Sequence, residues 1–295
     1  MAVSWRIGTR AWGYAPLDPI LMAIVNVTPD SFSDGGAHMT ADRAADWARE
    51  CIDAGATMLD VGGESTRPGA ARVSPQEQIS RVVPAISRMM AIPAVRDGRV
   101  AISVDTTHAS VARAAIASGA SIVNDVSGGT EDLEILQVVA EYRCGVVLMH
   151  RLVAPPDDSY SDRYTQPPQY DDVVAEVATH LKGCVARARA AGISPESIAV
   201  DPGLGFGKSV EQNVQLMDRI GEIVALGPPV LVSASRKSFL GALSDEPIPA
   251  NRDRVSAQAA VSMSKRGVAV VRAHNVAAHC AAIREARAIA APRHC

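Results

Sequence analysis

Polar side chains stand at or near the ends of eight short apolar runs in this chain of 295 residues. Carboxylates accept paired N–H groups, amides donate and accept, and an ammonium such as that of Lys237 donates to a ring carbonyl. A mixed set of this kind can hold a flat heterocycle by its hydrogen-bonding edge. The strand-end set comprises Asn26, Asp60, Asp105, Asn124, Asp125, His150, Asp201, Ser233, Ser235, Arg272 and His274.

The cations near these strand ends suggest a second chemistry. Arg67, Arg272 and His274 could form a separate anion site, because the forked donors of arginine match phosphate oxygens. Asn26 could supply a hard oxygen ligand to Mg²⁺. The residue types therefore predict a heterocycle site and an anion site at one end of the fold.

The apolar runs predict strands that are buried on both faces, as in a parallel sheet. They alternate with amphipathic runs that predict helices. The predicted strands are residues 21–27, 57–62, 100–105, 121–126, 145–150, 198–203, 229–235 and 268–274. The predicted helices are residues 40–54, 74–91, 108–118, 131–142, 171–191, 210–225, 252–266 and 275–290.

Eight strand–helix pairs predict an α/β fold of the (β/α)8 TIM-barrel type, in which the carboxyl ends of all strands meet at one face. A doubly wound sheet is the alternative, but the glycine-rich turn expected after its first strand is absent. We expect one domain, residues 1–295, with a short N-terminal β-hairpin (1–18) and the barrel (19–292). Residues 151–170 predict a long mobile loop after the fifth barrel strand.

Two kinds of local signal mark the predicted helix ends. Polar residues that can accept backbone N–H bonds predict N-caps, and glycines directly after helical runs predict left-handed helix ends. The predicted caps are Thr40, Ser74 and Asp171, and the terminating glycines are Gly55, Gly119 and Gly192.

Composition narrows the class of protein. A net charge of −3 argues against a general nucleic-acid binder. The longest apolar run falls short of the ~18 residues that a membrane-spanning helix needs. The first residues lack the apolar core of a signal peptide, and five cysteines without a CxxC pair favour a reducing compartment. We therefore expect a cytoplasmic protein that acts on small molecules, with neither nucleic acid nor membrane as a partner.

Five motifs resemble the dihydropteroate synthase family of the bacterial folate pathway, in order and at the family's spacing. Together they are highly specific, and the resemblance extends over residues ~20–290. They are NVTPDSFSDGG (26–36), DVGGESTRPGA (60–70), ISVDTTHASVARAAIASGASIVNDVSGG (102–129), DPGLGFGK (201–208) and SASRKSFLGAL (233–243).

The resemblance implies a reaction in which a 7,8-dihydropterin-6-ylmethyl diphosphate loses pyrophosphate and the amine of 4-aminobenzoate attacks the methylene carbon. It implies pterin binding by Asp105, Asn124, Asp201 and Lys237. It implies diphosphate binding by Asn26, Thr66, Arg67, Arg272 and His274, with the cofactor Mg²⁺ at Asn26. It implies an aminobenzoate pocket formed by Thr28, Phe32, Asp34, Pro68, Phe206, Ser235 and Arg236.

Several of these residues are expected to act in catalysis rather than in binding alone. Asp34 is the candidate for stabilising the pterin methylene cation, with Thr28, Arg67 and Lys237 as further catalytic candidates. The loops at 28–36 and 63–70 combine glycines with polar groups, as loops that close on a substrate do. The resemblance also implies a homodimer and sensitivity to sulfonamides, which mimic 4-aminobenzoate.

Two departures from the family pattern stand out. Asn275 follows His274 where the family has aspartate, which removes a negative charge near the diphosphate and could alter how His274 is oriented. Residues 151–170 replace a shorter loop, so contacts from that loop to the pterin are not carried over.

Three other functions remain open from the sequence. A corrinoid-linked pterin methyltransferase shares the barrel and the pterin ligands, but does not need the two diphosphate loops. A Schiff-base aldolase could use Lys237, although the neighbouring Arg236 weakens that reading because such lysines work best away from other cations. A non-catalytic pterin-binding protein would bind the diphosphate ester without releasing pyrophosphate.

Overall fold

Eight parallel strands, each followed by one or more helices, form a barrel in the computed structural model, which describes residues 3–28 and 41–291. Two antiparallel strands precede the barrel, β1 (Val3–Ile7) and β2 (Arg10–Tyr14). The barrel strands are β3 (Ile20–Asn26), β4 (Met58–Gly62), β5 (Ala101–Asp105), β6 (Ile122–Asp125), β7 (Gly145–Met149), β8 (Ile198–Asp201), β9 (Leu231–Val232) and β10 (Val270–Ala273). The helices are α1 (Ala41–Asp53), α2 (Pro75–Met89), α3 (Pro93–Arg96), α4 (Ala109–Ala117), α5 (Glu134–Tyr142), α6 (Val173–Ala190), α7 (Val210–Asp218), α8 (Ile220–Val224), α9 (Ser238–Ser244), α10 (Asp253–Ser264) and α11 (Val276–Ala290).

The sheet closes on itself as the apolar runs predict. Its strands follow the order β8-β7-β6-β5-β4-β3-β10-β9, and a parallel bridge between Val200 and Val230 joins the two ends. The backbone N–H of Val200 donates to the carbonyl of Pro229 at 2.9 Å in this seam. The TIM-barrel prediction and all eight predicted strands are confirmed, and the doubly wound alternative is wrong.

The predicted helices are present, with one interruption. The run predicted at 210–225 divides into α7 and α8 at Arg219, whose φ of −102° and ψ of 18° lie outside the helical range. The Arg219 guanidinium there bonds both carboxylate oxygens of Asp172 at 3.0 Å. The short helices α3 and α9 are additional to the prediction.

The predicted caps have mixed outcomes. The hydroxyl of Ser74 accepts the N–H of Glu77 at 3.2 Å, so this cap is confirmed. The cap predicted at Asp171 is wrong by one residue, because Asp172 has the extended backbone that a cap needs and accepts two N–H bonds at the start of α6. Thr40 lies outside the described residues.

The three predicted helix-ending glycines are confirmed by their left-handed backbone. Gly119 shows the constraint most clearly, since its φ is 119° and a Cβ there would lie 2.5 Å from the sulfur of Met90. Gly55 and Gly192 have φ values of 111° and 93°.

The N-terminal hairpin closes the amino end of the barrel, as predicted. Trp5 and Trp12 face each other across β1 and β2. Trp5 is fully buried and its indole N–H donates to the carbonyl of Ser197 at 3.0 Å. A Cβ at Gly145, where β7 begins, would lie 3.3 Å from Trp5, so this residue leaves room for the indole.

The segment 151–170 is a long loop, as predicted, and includes a 3₁₀ turn at Pro155–Asp157. Hydrogen bonds attach it to neighbouring loops, which is more contact than a mobile loop implies. Among the described residues, none of the helices has both the length and the apolar character that crossing a bilayer requires.

Replacing Trp5 by alanine should lower the free energy of unfolding by about 3–5 kcal/mol, because it leaves a cavity beneath the barrel. Val3→Ala on the same hairpin is the control, since Val3 is 55% exposed and should change stability little. Denaturant unfolding of both variants measures the difference. Equal stability of the two variants would contradict a closing role for Trp5.

Candidate active site

A buried ion cluster links four strands near the carboxyl face of the barrel. Asp60 is fully buried, and one of its oxygens accepts N–H bonds from Arg272 at 2.6 Å and from the Asn124 amide at 2.9 Å. Arg272 also donates to Asp105 at 2.9 Å. One guanidinium therefore bridges two buried carboxylates and brings β4, β5, β6 and β10 together at their ends.

Burial of these charges changes their proton affinities. The pKa of Asp105 is raised to about 7, chiefly by burial and then by the nearby Asp60 carboxylate, while Arg272 opposes both. Burial likewise raises the pKa of Asp201 to about 6, against the N–H of Gly203 and the cation of Lys237. Burial thus disfavours the charged form of both carboxyl groups, and a ligand that donates N–H bonds to them would stabilise that form.

Lys237 lies after β9, at the same carboxyl face of the barrel. Its ammonium is 3.9 Å from the centroid of the buried Phe206 ring, a cation–π contact. The pKa of Lys237 is lowered to about 8, chiefly by burial and then by the nearby Arg272, while Asp201 opposes the change. A Cβ at Gly205 would lie 3.0 Å from the Lys237 side chain, so a glycine lets this chain cross the loop after β8.

A second lysine, Lys208, is fully buried beneath that loop. Its ammonium lies 2.9 Å from Nδ1 of His150 and donates to the carbonyls of Gly203 at 2.9 Å and Phe206 at 2.8 Å. Burial lowers the pKa of Lys208 to about 7, against the raising effect of Asp201. Lys208 therefore fixes the curved backbone between Asp201 and Phe206.

His274 and Ser235 form a hydrogen-bonded pair at the ends of β10 and β9. The Ser235 hydroxyl accepts the backbone N–H of His274 at 3.1 Å and lies 3.0 Å from its Nδ1. Burial lowers the pKa of His274 to about 3, and the cations of Arg236, Arg272 and Arg67 contribute. His274 is consequently neutral near pH 7.

Asn275, which stands where the family has aspartate, forms hydrogen bonds with its neighbours on both sides of its amide group. The Asn275 amide donates to Asp253 at 2.8 Å and its oxygen accepts the N–H of Ala278 at the start of α11. Arg236 also donates twice to Asp253, at 2.6 and 2.9 Å. Burial alone would raise the pKa of Asp253, but the bonds from Arg236 and Asn275 outweigh it and lower the pKa. Asn275 thus orients Asp253 and Arg236, whereas Ser235 orients His274.

The loop after β4 presents Thr66 and Pro68 half-buried and Arg67 exposed. The effect of Arg67 on the pKa of His274 puts its charge on the same side of the mouth. Farther along this loop, Arg72 lies 3.4 Å from Glu64 and 3.1 Å from Glu131, so an ion network anchors the loop.

Asn26 is the residue from which a magnesium ligand is expected. Its side-chain oxygen faces Gly62. Its side-chain amide makes no hydrogen bond to residues 3–28 or 41–291. These residues contain no cluster of three or more histidine, cysteine or acidic side chains that could bind a metal by themselves. The arrangement fits Mg²⁺ held by one protein oxygen, with substrate phosphate and water completing its shell.

Three other predicted site residues belong to the loop that follows β3. Thr28 is buried at the end of the described part of that loop. Phe32 and Asp34 lie outside the described residues.

Known proteins provide an independent comparison. Residues 22–274 match the family described as pterin binding enzymes. The dihydropteroate synthase of Mycobacterium leprae is 42% identical over 264 residues, which cover 88% of this chain and 89% of that protein. This chain belongs to the dihydropteroate synthase family.

Solved structures of dihydropteroate synthases share the whole fold. The enzyme of Xanthomonas albilineans with 4-aminobenzoic acid is 39% identical, covers 99% of this chain and 100% of its own, and has a TM-score of 0.86. The enzyme of Yersinia pestis in a sulfonamide drug complex is 35% identical, with coverages of 97% and 98% and a TM-score of 0.85. The resemblance drawn from the five motifs is confirmed.

Sequence reasoning gave no site role to three residues that the geometry makes important. Asp60 was recognisable as a strand-end carboxylate, but its link to Arg272 joins residues 212 positions apart. Lys208 belongs to the DPGLGFGK motif, but nothing in the motif indicates that its ammonium is fully buried. Asp253 lies inside a helical run that carries no site motif.

Lys208→Met should lower the free energy of unfolding by about 3 kcal/mol, because it leaves two carbonyls and an imidazole nitrogen without a buried donor. Lys182→Met on the exposed face of α6 is the matched control. Denaturant unfolding of the pair measures the loss. A loss below about 1 kcal/mol would show that the loop does not depend on Lys208.

Asn275→Asp should lower the free energy of unfolding by about 1 kcal/mol, because it places a second carboxylate against Asp253. The double variant Asn275→Asp/Asp253→Asn exchanges the two groups and should recover part of the loss. A double-mutant cycle from denaturant unfolding measures the coupling. Additive losses would argue against direct contact between the two side chains.

Proposed function

We propose that the protein condenses the 7,8-dihydropterin-6-ylmethyl diphosphate ester with 4-aminobenzoate, giving 7,8-dihydropteroate and pyrophosphate for tetrahydrofolate synthesis. The observation that carries this proposal is the buried cluster of Asp60, Asp105, Asn124 and Arg272 in a member of the dihydropteroate synthase family. Such a cluster supplies the acceptors and donors that the edge of a pterin ring requires.

Pterin binding is assigned to Asp105, Asn124, Asp201 and Lys237. The Asn124 amide nitrogen already donates to Asp60, so its oxygen is oriented to accept an N–H from the ring. Asp105 and Asp201 accept the other N–H groups, and Lys237 donates to the ring carbonyl. Asp60 is a positioning residue in this assignment, since it fixes both Asn124 and Arg272.

Diphosphate binding is assigned to Asn26, Thr66, Arg67, Arg272 and His274. Ser235 accepts one bond from the His274 backbone, so we assign its own hydroxyl proton to Nδ1. The neutral imidazole then carries its proton on Nε2 and can donate it to a phosphate oxygen. Mg²⁺ held at Asn26 would neutralise charge on the departing pyrophosphate.

The reaction begins with cleavage of the bond between the methylene carbon and the ester oxygen, whose electron pair leaves with pyrophosphate. Asp34 stabilises the resulting pterin cation. The amine nitrogen of 4-aminobenzoate then forms the new carbon–nitrogen bond and loses a proton.

The pocket for 4-aminobenzoate is assigned to Thr28, Phe32, Asp34, Pro68, Phe206, Ser235 and Arg236. Arg236 supplies a cation for the carboxylate, and the two hydrogen bonds that it donates to Asp253 fix its orientation. Thr28, Arg67 and Lys237 are assigned to catalysis with Asp34.

Further properties of the protein belong to the same proposal. The protein acts as a single-domain homodimer in the cytoplasm, with small molecules as its partners and neither nucleic acid nor membrane. Sulfonamides inhibit it by occupying the aminobenzoate pocket. The Yersinia pestis complex with a sulfonamide drug supports this expectation.

Pyrophosphate release from the pterin diphosphate and Mg²⁺, with and without 4-aminobenzoate, tests the proposal. We expect release that depends on aminobenzoate and falls by roughly 100-fold or more in Lys237→Ala and Asp105→Ala. Lys182→Ala and Asp157→Ala are charge-matched controls at exposed positions and should retain activity. Tight pterin binding without release would instead favour a binding protein, and a borohydride-trapped adduct at Lys237 would favour an aldolase.

A further inference from the structure

The segment 151–170 hydrogen-bonds to loops that follow three different strands of the barrel. Pro155 accepts the N–H of Gly69, in the loop after β4, at 2.8 Å. Tyr170 donates its hydroxyl to the carbonyl of Gly207, after β8, at 2.9 Å. A third contact reaches the segment after β9 at the first residue of α9, where the N–H of Ser161 donates to the Ser238 hydroxyl at 3.1 Å.

Asp158 is the centre of this attachment. It is 8% exposed, and one of its oxygens accepts the N–H of Gly207 at 3.0 Å. Its other oxygen accepts the N–H of Ser159 at 2.8 Å and the hydroxyl of Tyr164. Every partner is a donor, so a side chain without acceptors would leave buried N–H and O–H groups unpaired.

The residues held in this way are neighbours of assigned pocket residues. Gly207 follows Phe206 directly, and Ser238 follows Lys237. Leu152 packs against Gly207 so closely that a Cβ on the glycine would lie 2.4 Å from the Cβ of Leu152. The segment therefore restrains both partners of the contact between Lys237 and Phe206.

We propose that the segment 151–170 positions the aminobenzoate-side wall of the active site, and that Asp158 is its positioning residue. This inference rests on the proposed synthase function. Asp158 acts through the backbone of Gly207 on the Phe206 ring. Three of the four assigned pterin ligands, Asp105, Asn124 and Asp201, have no hydrogen bond to the segment in the described part of the chain. Only Lys237 adjoins a residue that the segment bonds, so the effect of Asp158 should fall mainly on the aminobenzoate side.

The charges around Lys237 provide a second line of support. Its pKa is lowered by burial and by Arg272, and raised by Asp201, Asp158 and Asp105. Loss of the Asp158 charge should therefore move the alkaline limb of the pH–rate profile to lower pH. A residue that acted only on overall stability would leave this limb in place.

Steady-state kinetics with each substrate varied in turn test the inference in Asp158→Ala, with Asp157→Ala as the matched control. Asp157 is adjacent, carries the same charge and is exposed. We expect the KM for 4-aminobenzoate to rise roughly tenfold in Asp158→Ala, and the KM for the pterin diphosphate to change by less than about twofold. Asp157→Ala should match the wild type in both constants.

Asp158→Asn replaces the alanine variant if the latter does not fold, since it keeps one acceptor oxygen. A rise of roughly threefold in the KM for 4-aminobenzoate alone, with the shifted alkaline limb, would then support the inference. If the wild type is active and the Asp158 variant changes both KM values equally, or changes neither, the inference is overturned. A wild-type protein without aminobenzoate-dependent turnover would overturn the proposed function itself.

Discussion

The placement of one guanidinium between two buried carboxylates determines the geometry of the site at the carboxyl face of the barrel. Taking three ionised groups out of water is costly unless each is paired and hydrogen-bonded. Arg272 satisfies this condition for Asp60 and Asp105, and Asp60 in turn holds the Asn124 amide. The removal of Arg272 would leave two adjacent carboxylates buried without a counter-charge, so the cluster is retained or lost as a unit.

The walls around this cluster are supported differently. The floor depends on side chains at strand ends, whose positions are set by the closed sheet. The rim depends on loops that hold one another through backbone groups, as in the contacts of Asp158 and Lys208 with the loop after β8. A rigid floor under a rim assembled from several loops suits a reaction in which one substrate binds deep and the other enters later.

The barrel and the gathering of polar side chains at the ends of its strands were predictable because they depend on local patterns. An apolar run of a few residues ending in Asp105 or Asn124 indicates a buried strand and its functional end without knowledge of the rest of the chain. The roles of Asp60, Lys208 and Asp158 were not predictable, because each depends on a partner in another loop. Nothing near Asp158 in the sequence indicates that it accepts the N–H of Gly207, 49 positions away. The N-cap of α6 shows the same limit on a small scale. Asp171 and Asp172 are equivalent as caps in the sequence, and only the backbone conformation shows that Asp172 is the cap.

The N-terminal hairpin has a consequence for how the chain is made. Trp5 completes its hydrogen bond with a carbonyl 192 positions later, and Arg287 bonds to Leu17 across 270 positions. The first barrel strand, β3, also pairs with β10 near the other end of the sequence. Contacts this distant in sequence form slowly, since long loops must close before they are stabilised. During synthesis on the ribosome, the first strands must therefore wait for the last ones to emerge, with their apolar surfaces still uncovered. The nascent chain thus carries uncovered apolar surface until β10 has emerged, and chaperones have most to offer before that point.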